Sequence, residues 1–211
     1  MHFNRLEVYI QGEDTMPKHV DHEQRKIDIA EMTLQMIHQQ GIDKATLREI
    51  AKEAGLSLGA LQYHFPRQKD LFEYTMEMLY KRTTDRVEGV IDNDLSEFDN
   101  VVNMLIQMVQ VQNQEQRMEN DVWTQLSLMP NKTLEFTQLV DRYLCSYNQY
   151  YIAALKILSD NQYLNDSLDD EKNTFTIFMN GLLYETVLYP DKYDEKIVEN
   201  QIRAYLSKIC R

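Results

Sequence analysis

The chain has 211 residues, 43% hydrophobic and 27% charged, enough for one large or two small folded units and a substantial core. Glycine (6) and proline (4) are too scarce for the many turns of a β-rich fold, so long helices with few connections are expected. A formal net charge of −12 excludes a broad positive field. No apolar run reaches membrane-spanning length, no secretion signal opens the chain, and two scattered cysteines build neither a disulfide framework nor a zinc site. A cytoplasmic protein without membrane association is expected.

In chain order, residues 1–15 show no amphipathic period. Met16-Pro17-Lys18 looks like a fresh start, which makes 1–15 a non-native extension or a flexible arm. Asp21 with Gln24 resembles a capping box. It precedes Ile27, Ala30, Leu34 and Ile37 at helical spacing, and Gly41 stops the run. Thr46 with Glu49 caps a short second helix that Gly55 ends. Ser57 caps a third, reaching about Phe65 before Pro66. A fourth follows over about 68–90, with Leu71, Phe72, Thr75, Met78 and Leu79 inward. Further helices are expected near 96–112, 115–128, 131–161, 168–188 and 194–209, capped at Ser96 and Ser167 and interrupted at Pro130. The expectation is an all-α chain of about nine helices: a head over 16–66 and a body over 67–211.

The run from Thr46 to Leu61 carries the functional content. Two short helices that cross steeply need a small residue at their contact, here Ala51, and a residue tolerant of positive φ at the turn, here Gly55. Leu56 seals the turn, and Ile50 and Leu61 join the pair to the first helix. Gly59 and Ala60 let a recognition helix approach a major groove closely. The charge is distributed in support of this reading. Residues 16–80 hold eight basic and ten acidic residues, whereas 81–211 hold thirteen and twenty-one, so most of the acidity lies outside the head. The head is still not basic, and binding must rest on a few well-aimed groups.

From Met16 to about Leu79 the chain resembles the N-terminal domain of TetR-family (tetracycline-repressor-like) regulators. The likeness is especially close to members with Gly-Ala-Leu-Gln followed by an aromatic-rich end and Phe-Pro, including Met16-Pro17-Lys18-His19-Val20-Asp21. The resemblance implies a three-helix head, a connecting helix, and a body that dimerises and holds a ligand. It places Thr46, Ser57 and Tyr63 on phosphates, and Leu58, Gly59, Ala60 and Gln62 at base edges. His64 falls at the helix end, near the DNA backbone or packed. Arg48 is a further backbone contact. The family commonly carries Tyr at the place of Gln62, which leaves Gln62 to read a base. It commonly carries Lys at the place of Gln68, so that phosphate contact passes to Lys69 or its rival Arg67. His19 and His22 are expected to be solvent-exposed rather than metal ligands, and no cofactor, metal or catalytic constellation is expected.

The body is rich in aromatics and methionine. Met104, Met108, Trp123, Leu126, Tyr143, Tyr147 and Phe178 are the candidate lining of a small-molecule site for a cationic or hydrophobic effector, with Asp121 or Glu185 as counter-charge. By the resemblance, Phe175, Leu182, Ile202, Tyr205 and Leu206 pair with their symmetry mates in a homodimer. The expected function is a ligand-responsive repressor on a pseudo-palindromic double-stranded operator. The rival is a helical ligand-binding or adaptor protein that has lost specific DNA binding.

Overall fold

The computed structural model describes residues 18–109, 111–128 and 134–211. Among them the chain forms nine α-helices: α1 (Lys18–Gln40), α2 (Leu47–Glu53), α3 (Leu58–His64), α4 (Gln68–Gly89), α5 (Glu97–Val109), α6 (Gln114–Ser127), α7 (Leu134–Asp160), α8 (Leu168–Leu188) and α9 (Glu195–Ile209). One 3-10 turn, Ile42–Lys44, joins α1 to α2. The described residues contain no strand beyond an isolated bridge, Leu164 to Cys210, which fastens the C-terminus to the α7–α8 connection. The expected extension over 1–15, the start at Met16 and the stop at Pro130 lie outside the described residues.

Side-chain capping defines most of the helix starts. The hydroxyls of Thr46, Ser57 and Ser96 accept from the backbone N–H three residues on, at 3.3, 3.1 and 3.1 Å. Ser167 starts α8 in the same way. Each bond satisfies a donor that has no partner within its helix. Asn113 and Asp194 are further caps, for α6 and α9. Asp21 is not a cap: α1 already runs from Lys18, because Lys18, His19 and Val20 contain no breaker and extend the helical repeat upstream. Gly41 (φ +84) and Gly55 (φ +64) stand where the chain reverses in a conformation that strains L residues, which explains glycine at both.

Leu34, Ile37, Ile50, Leu61 and Phe65 are buried in the head. They belong to the same apolar cluster as Leu105, Trp123, Tyr147, Tyr151 and Phe175 of the body. The head rests on the body through α1, which packs on α6 and α4. Helix α4 runs from one to the other and buries Leu71, Phe72, Met76, Leu79 and Val87 along its length.

Candidate nucleic-acid interface

The short α3 is held by its inner face and displays its outer one. Leu61 is completely buried and Phe65 nearly so, with α2 packed behind them through Ile50 and Ala51. Gly59, Ala60 and Gln62 face solvent, Leu58 is half-buried, and the Tyr63 ring is 76% exposed. Ser57 at the head of α3, and Thr46 and Arg48 at the start of α2, are exposed as well. Thus Thr46, Arg48, Ser57, Gly59, Ala60, Gln62 and Tyr63 are available together on the head. The exposed Tyr63 ring leaves its hydroxyl free to reach a partner on the same face as Ser57 and Gln62.

His64 ends α3 half-buried, its ring stacked on His22 of α1 at 4.6 Å between centroids. His22 also meets Tyr63 edge-on at 5.5 Å. The expectation of a solvent-exposed His22 is therefore corrected: it is a packing residue that braces the end of α3 against α1. No local pattern announces this, because the two histidines are 42 positions apart.

The two candidate phosphate cations are occupied. Arg67 caps α4 together with Asp70, its guanidinium 2.6 Å from that carboxylate. The hydrogen bond from Arg67 holds the Asp70 carboxyl below its usual range, and Asp70 in turn raises Arg67. Arg67 and Lys69 both also lie 3.6 Å from Glu135 at the start of α7. Gln68 donates from Nε2 to the carbonyl of Ala45 at 2.8 Å, tying α4 to the turn before α2. A side chain at this position is thus committed inward.

In the body the candidate lining residues divide into separate groups. Trp123 packs on Tyr147 at 4.2 Å and meets Tyr143 edge-on at 6.5 Å. Tyr80 of α4, which no local motif marks, touches Tyr143, Tyr147 and Tyr150 at 6.0, 5.6 and 6.1 Å. Burial pushes the phenols of Tyr143 and Tyr150 up to about 12. An open groove of about 330 Å³ between α4 and α7 is lined by Tyr80, Ser146, Gln149, Tyr150 and Ala153. Met108 and Leu126 are fully packed in the core, and Met104 is half-buried. Phe178 lies apart from this cluster: it stacks on Tyr205 of α9 at 4.3 Å, beside Phe175.

Asp121 and Trp123 are about 200° apart around α6, so the carboxylate and the aromatic cluster occupy different faces. Asp121 instead accepts from His38 Nδ1 at 2.6 Å. Glu185 accepts from the Tyr193 hydroxyl at 3.2 Å.

Phe175, Ile202 and Leu206 are wholly buried and Leu182 is 6% exposed, all inside this chain's own core. Tyr205 is half-buried. The outward apolar residues of α8 are Ile177 (73% exposed) and Leu188 (67%), in line with exposed Gly181. Among the described residues no three His, Cys, Asp or Glu side chains converge as a metal site, and no helix is long and apolar enough to cross a membrane.

Residues 29–75 match the family model of bacterial regulatory proteins, tetR family. The HTH-type transcriptional regulator PksA of Bacillus subtilis (strain 168) is 31% identical over 195 residues, 92% of this chain and 94% of that protein. A putative transcriptional regulator from Saccharomonospora viridis, solved in complex with choline, superposes with a TM-score of 0.76 at 17% identity, covering 90% of this chain and 99% of that one. NalD, the secondary repressor of the MexAB-OprM multidrug efflux pump in Pseudomonas aeruginosa, gives 0.68 at 17% identity over 90% and 99%. With the relative aligned along nearly its whole length and the head matched by the family model, the chain belongs to the tetR family of bacterial transcriptional regulators.

Proposed function

We propose that this protein is a cytoplasmic homodimeric repressor whose α3 reads the major groove of a pseudo-palindromic operator and which a small molecule releases. The carrying observation is the outward face of α3: Gly59, Ala60, Gln62 and Tyr63 exposed around a helix anchored by buried Leu61 and Phe65. Gly59 and Ala60 keep the backbone close to the bases, Gln62 has the amide to read an edge, and Tyr63 and Ser57 supply hydroxyls for phosphates. Two such heads reach successive grooves about 34–36 Å apart.

Dimer pairing falls to the outer stripe of α8, Ile177, Gly181 and Leu188, since Phe175, Ile202 and Leu206 are spent on the chain's own core. The effector site is the aromatic groove at Tyr80 and Tyr150, backed by Tyr143, Tyr147 and Trp123. Its rings suit a cationic or hydrophobic guest, which accords with the choline complex and the efflux-pump repressor among the structural relatives. A guest wedged against α4 acts on the helix that carries the head.

Gel shift with the DNA upstream of the chain's own gene tests the reading. A specific complex is expected, weakened at least tenfold by Gln62→Ala or Tyr63→Ala. No complex, or one indifferent to both changes, favours an adaptor without DNA binding. The commitment of Arg67 and Lys69 to Glu135 is the observation on that side.

A further inference from the structure

A second cleft, of about 240 Å³, lies where head meets body, between the C-terminal end of α1, α6 and the C-terminal end of α8. Its polar lining is Arg117, Asn120 and Asp121 of α6, with His38 of α1 and Thr186 of α8. Arg117 and Asp121 are four residues apart, a spacing at which opposite charges ordinarily close on each other. Here each has other partners. Arg117 donates from Nη1 and Nη2 to the carbonyls of Pro190 and Tyr193 at 3.2 and 2.9 Å. Asp121 accepts from His38 and from Gln125 Nε2, the latter at 3.2 Å to each oxygen. Val111, Val187 and Pro190 supply apolar lining.

We infer that this cleft binds a small zwitterion, an α-amino acid with an apolar side chain. The volume is below the roughly 300 Å³ at which drug-sized ligand sites begin, so the guest is small. Its ammonium replaces His38 on Asp121. Its carboxylate takes the N–H groups of Arg117 that the two carbonyls leave over, out of the five a guanidinium carries. Its side chain lies against the valines and proline. A simple cation would sit beside Arg117 uncompensated, and a simple anion beside Asp121; the zwitterion answers both.

Occupation also touches the head. His38 belongs to α1, and its bond to Asp121 is one fastening of α1 to the body. Gln125 makes two more, accepting from the Ile42 N–H just beyond α1 at 3.1 Å and donating to the Ile37 carbonyl at 3.4 Å, and Arg82 of α4 pairs with Glu31. An ammonium on Asp121 frees His38 while Gln125 keeps its hold, so the head is reoriented rather than released. This consequence for DNA rests on the regulatory reading above; the binding itself does not.

Calorimetry on the full chain without DNA reads the binding. The probes are L-valine and L-leucine against isobutylamine, which lacks the carboxylate, and isovalerate, which lacks the ammonium. Saturable binding of an amino acid is expected, with both truncated probes at least about tenfold weaker. Asp121→Asn should weaken it by a similar factor, and His38→Ala, which leaves Asp121 open, should tighten it severalfold. Equal binding by folded Asp121→Asn overturns the assignment. So does isobutylamine binding as tightly as valine, or no saturation of either wild type or His38→Ala by tens of millimolar amino acid. Anisotropy of labelled upstream DNA, with and without valine, separates the two readings. Valine binding without any DNA complex sinks only the regulatory reading, whereas a DNA complex without valine binding sinks only the cleft.

Discussion

Arg82, in α4, places its guanidinium 2.9 Å from the carboxylate of Glu119, a wholly buried side chain on α6. Arg86, one turn further along α4, lies 2.9 Å from the other oxygen, at ion-pair distance but out of hydrogen-bond alignment. Arg82 also pairs with Glu31 of α1. One buried anion thus fastens α4 to α6, and one of its partners reaches the head. Such a cluster is a poor source of net stability compared with an apolar core, but removing the carboxylate leaves two arginines, each about a quarter exposed, without their shared anion. Glu119→Gln should lower the unfolding free energy by about 1–3 kcal/mol, read from urea denaturation. A loss below about 1 kcal/mol would mean that water compensates both guanidiniums in full.

That cluster marks the boundary of what the sequence discloses. The caps at Thr46, Ser57, Ser96 and Ser167 and the turns at Gly41 and Gly55 are legible because their partners lie within four residues. The exposure of Gln62 and Tyr63 follows from the helical period once Leu61 is recognised as core. Glu119 looks like any acidic residue of an amphipathic helix, since its partners are 33 and 37 positions away. Glu135 holding Arg67 and Lys69, and His22 stacking on His64, are hidden for the same reason. Burial of Phe175, Ile202 and Leu206 within one chain is equally unannounced: an apolar stripe has the same spacing whether it meets its own core or a second copy.

Two glycines four residues apart should respond to the same substitution with opposite signs. Gly55 has φ +64, and an added Cβ would meet nothing within 4 Å, so the whole cost of Gly55→Ala is conformational, about 1–2 kcal/mol. Gly59 has helical φ and equally open surroundings, so Gly59→Ala should stabilise the chain by up to about 1 kcal/mol. The new methyl projects where a groove would lie, and DNA affinity should fall. Thermal unfolding beside gel shift checks the pair; a Gly59→Ala protein that binds DNA as well as wild type would place the bases elsewhere.

The tyrosine cluster predicts alkaline behaviour. Burial holds the phenols of Tyr143 and Tyr150 at about 12, above the value near 10 of an unfolded tyrosine. A folded pKa above the unfolded one means that the native state binds the proton more tightly. The associated stability is fully present below pH ~10 and is lost as pH rises through about 12. Absorbance at 295 nm should show tyrosines of the native protein ionising after those of the urea-unfolded chain. Tyr143→Phe should remove one late-titrating group without unfolding the protein. If every tyrosine ionises near 10 while the far-ultraviolet dichroism stays native, the cluster is wetter than the packing of Trp123, Tyr80 and Tyr147 implies.

Glu135 sets the availability of cations on the head. It lies 3.6 Å from both Arg67 and Lys69, and an anion there competes with a DNA phosphate for the same two groups. Exposed pairs at this distance are worth at most about 1 kcal/mol, so the competition is one that DNA can win. Glu135→Gln keeps the shape and removes the competitor. DNA affinity should rise, by up to about fivefold at low salt. Each cation newly committed to a phosphate should steepen the dependence of log K on log salt by about 0.9, because each releases condensed counterions. Arg67→Gln in the Glu135→Gln background should return one such increment, while Asp70 can still cap α4 through the Arg67 position's backbone N–H. An unchanged salt slope in Glu135→Gln would place both cations off the phosphate track and leave the contact to Thr46, Ser57 and Tyr63 alone.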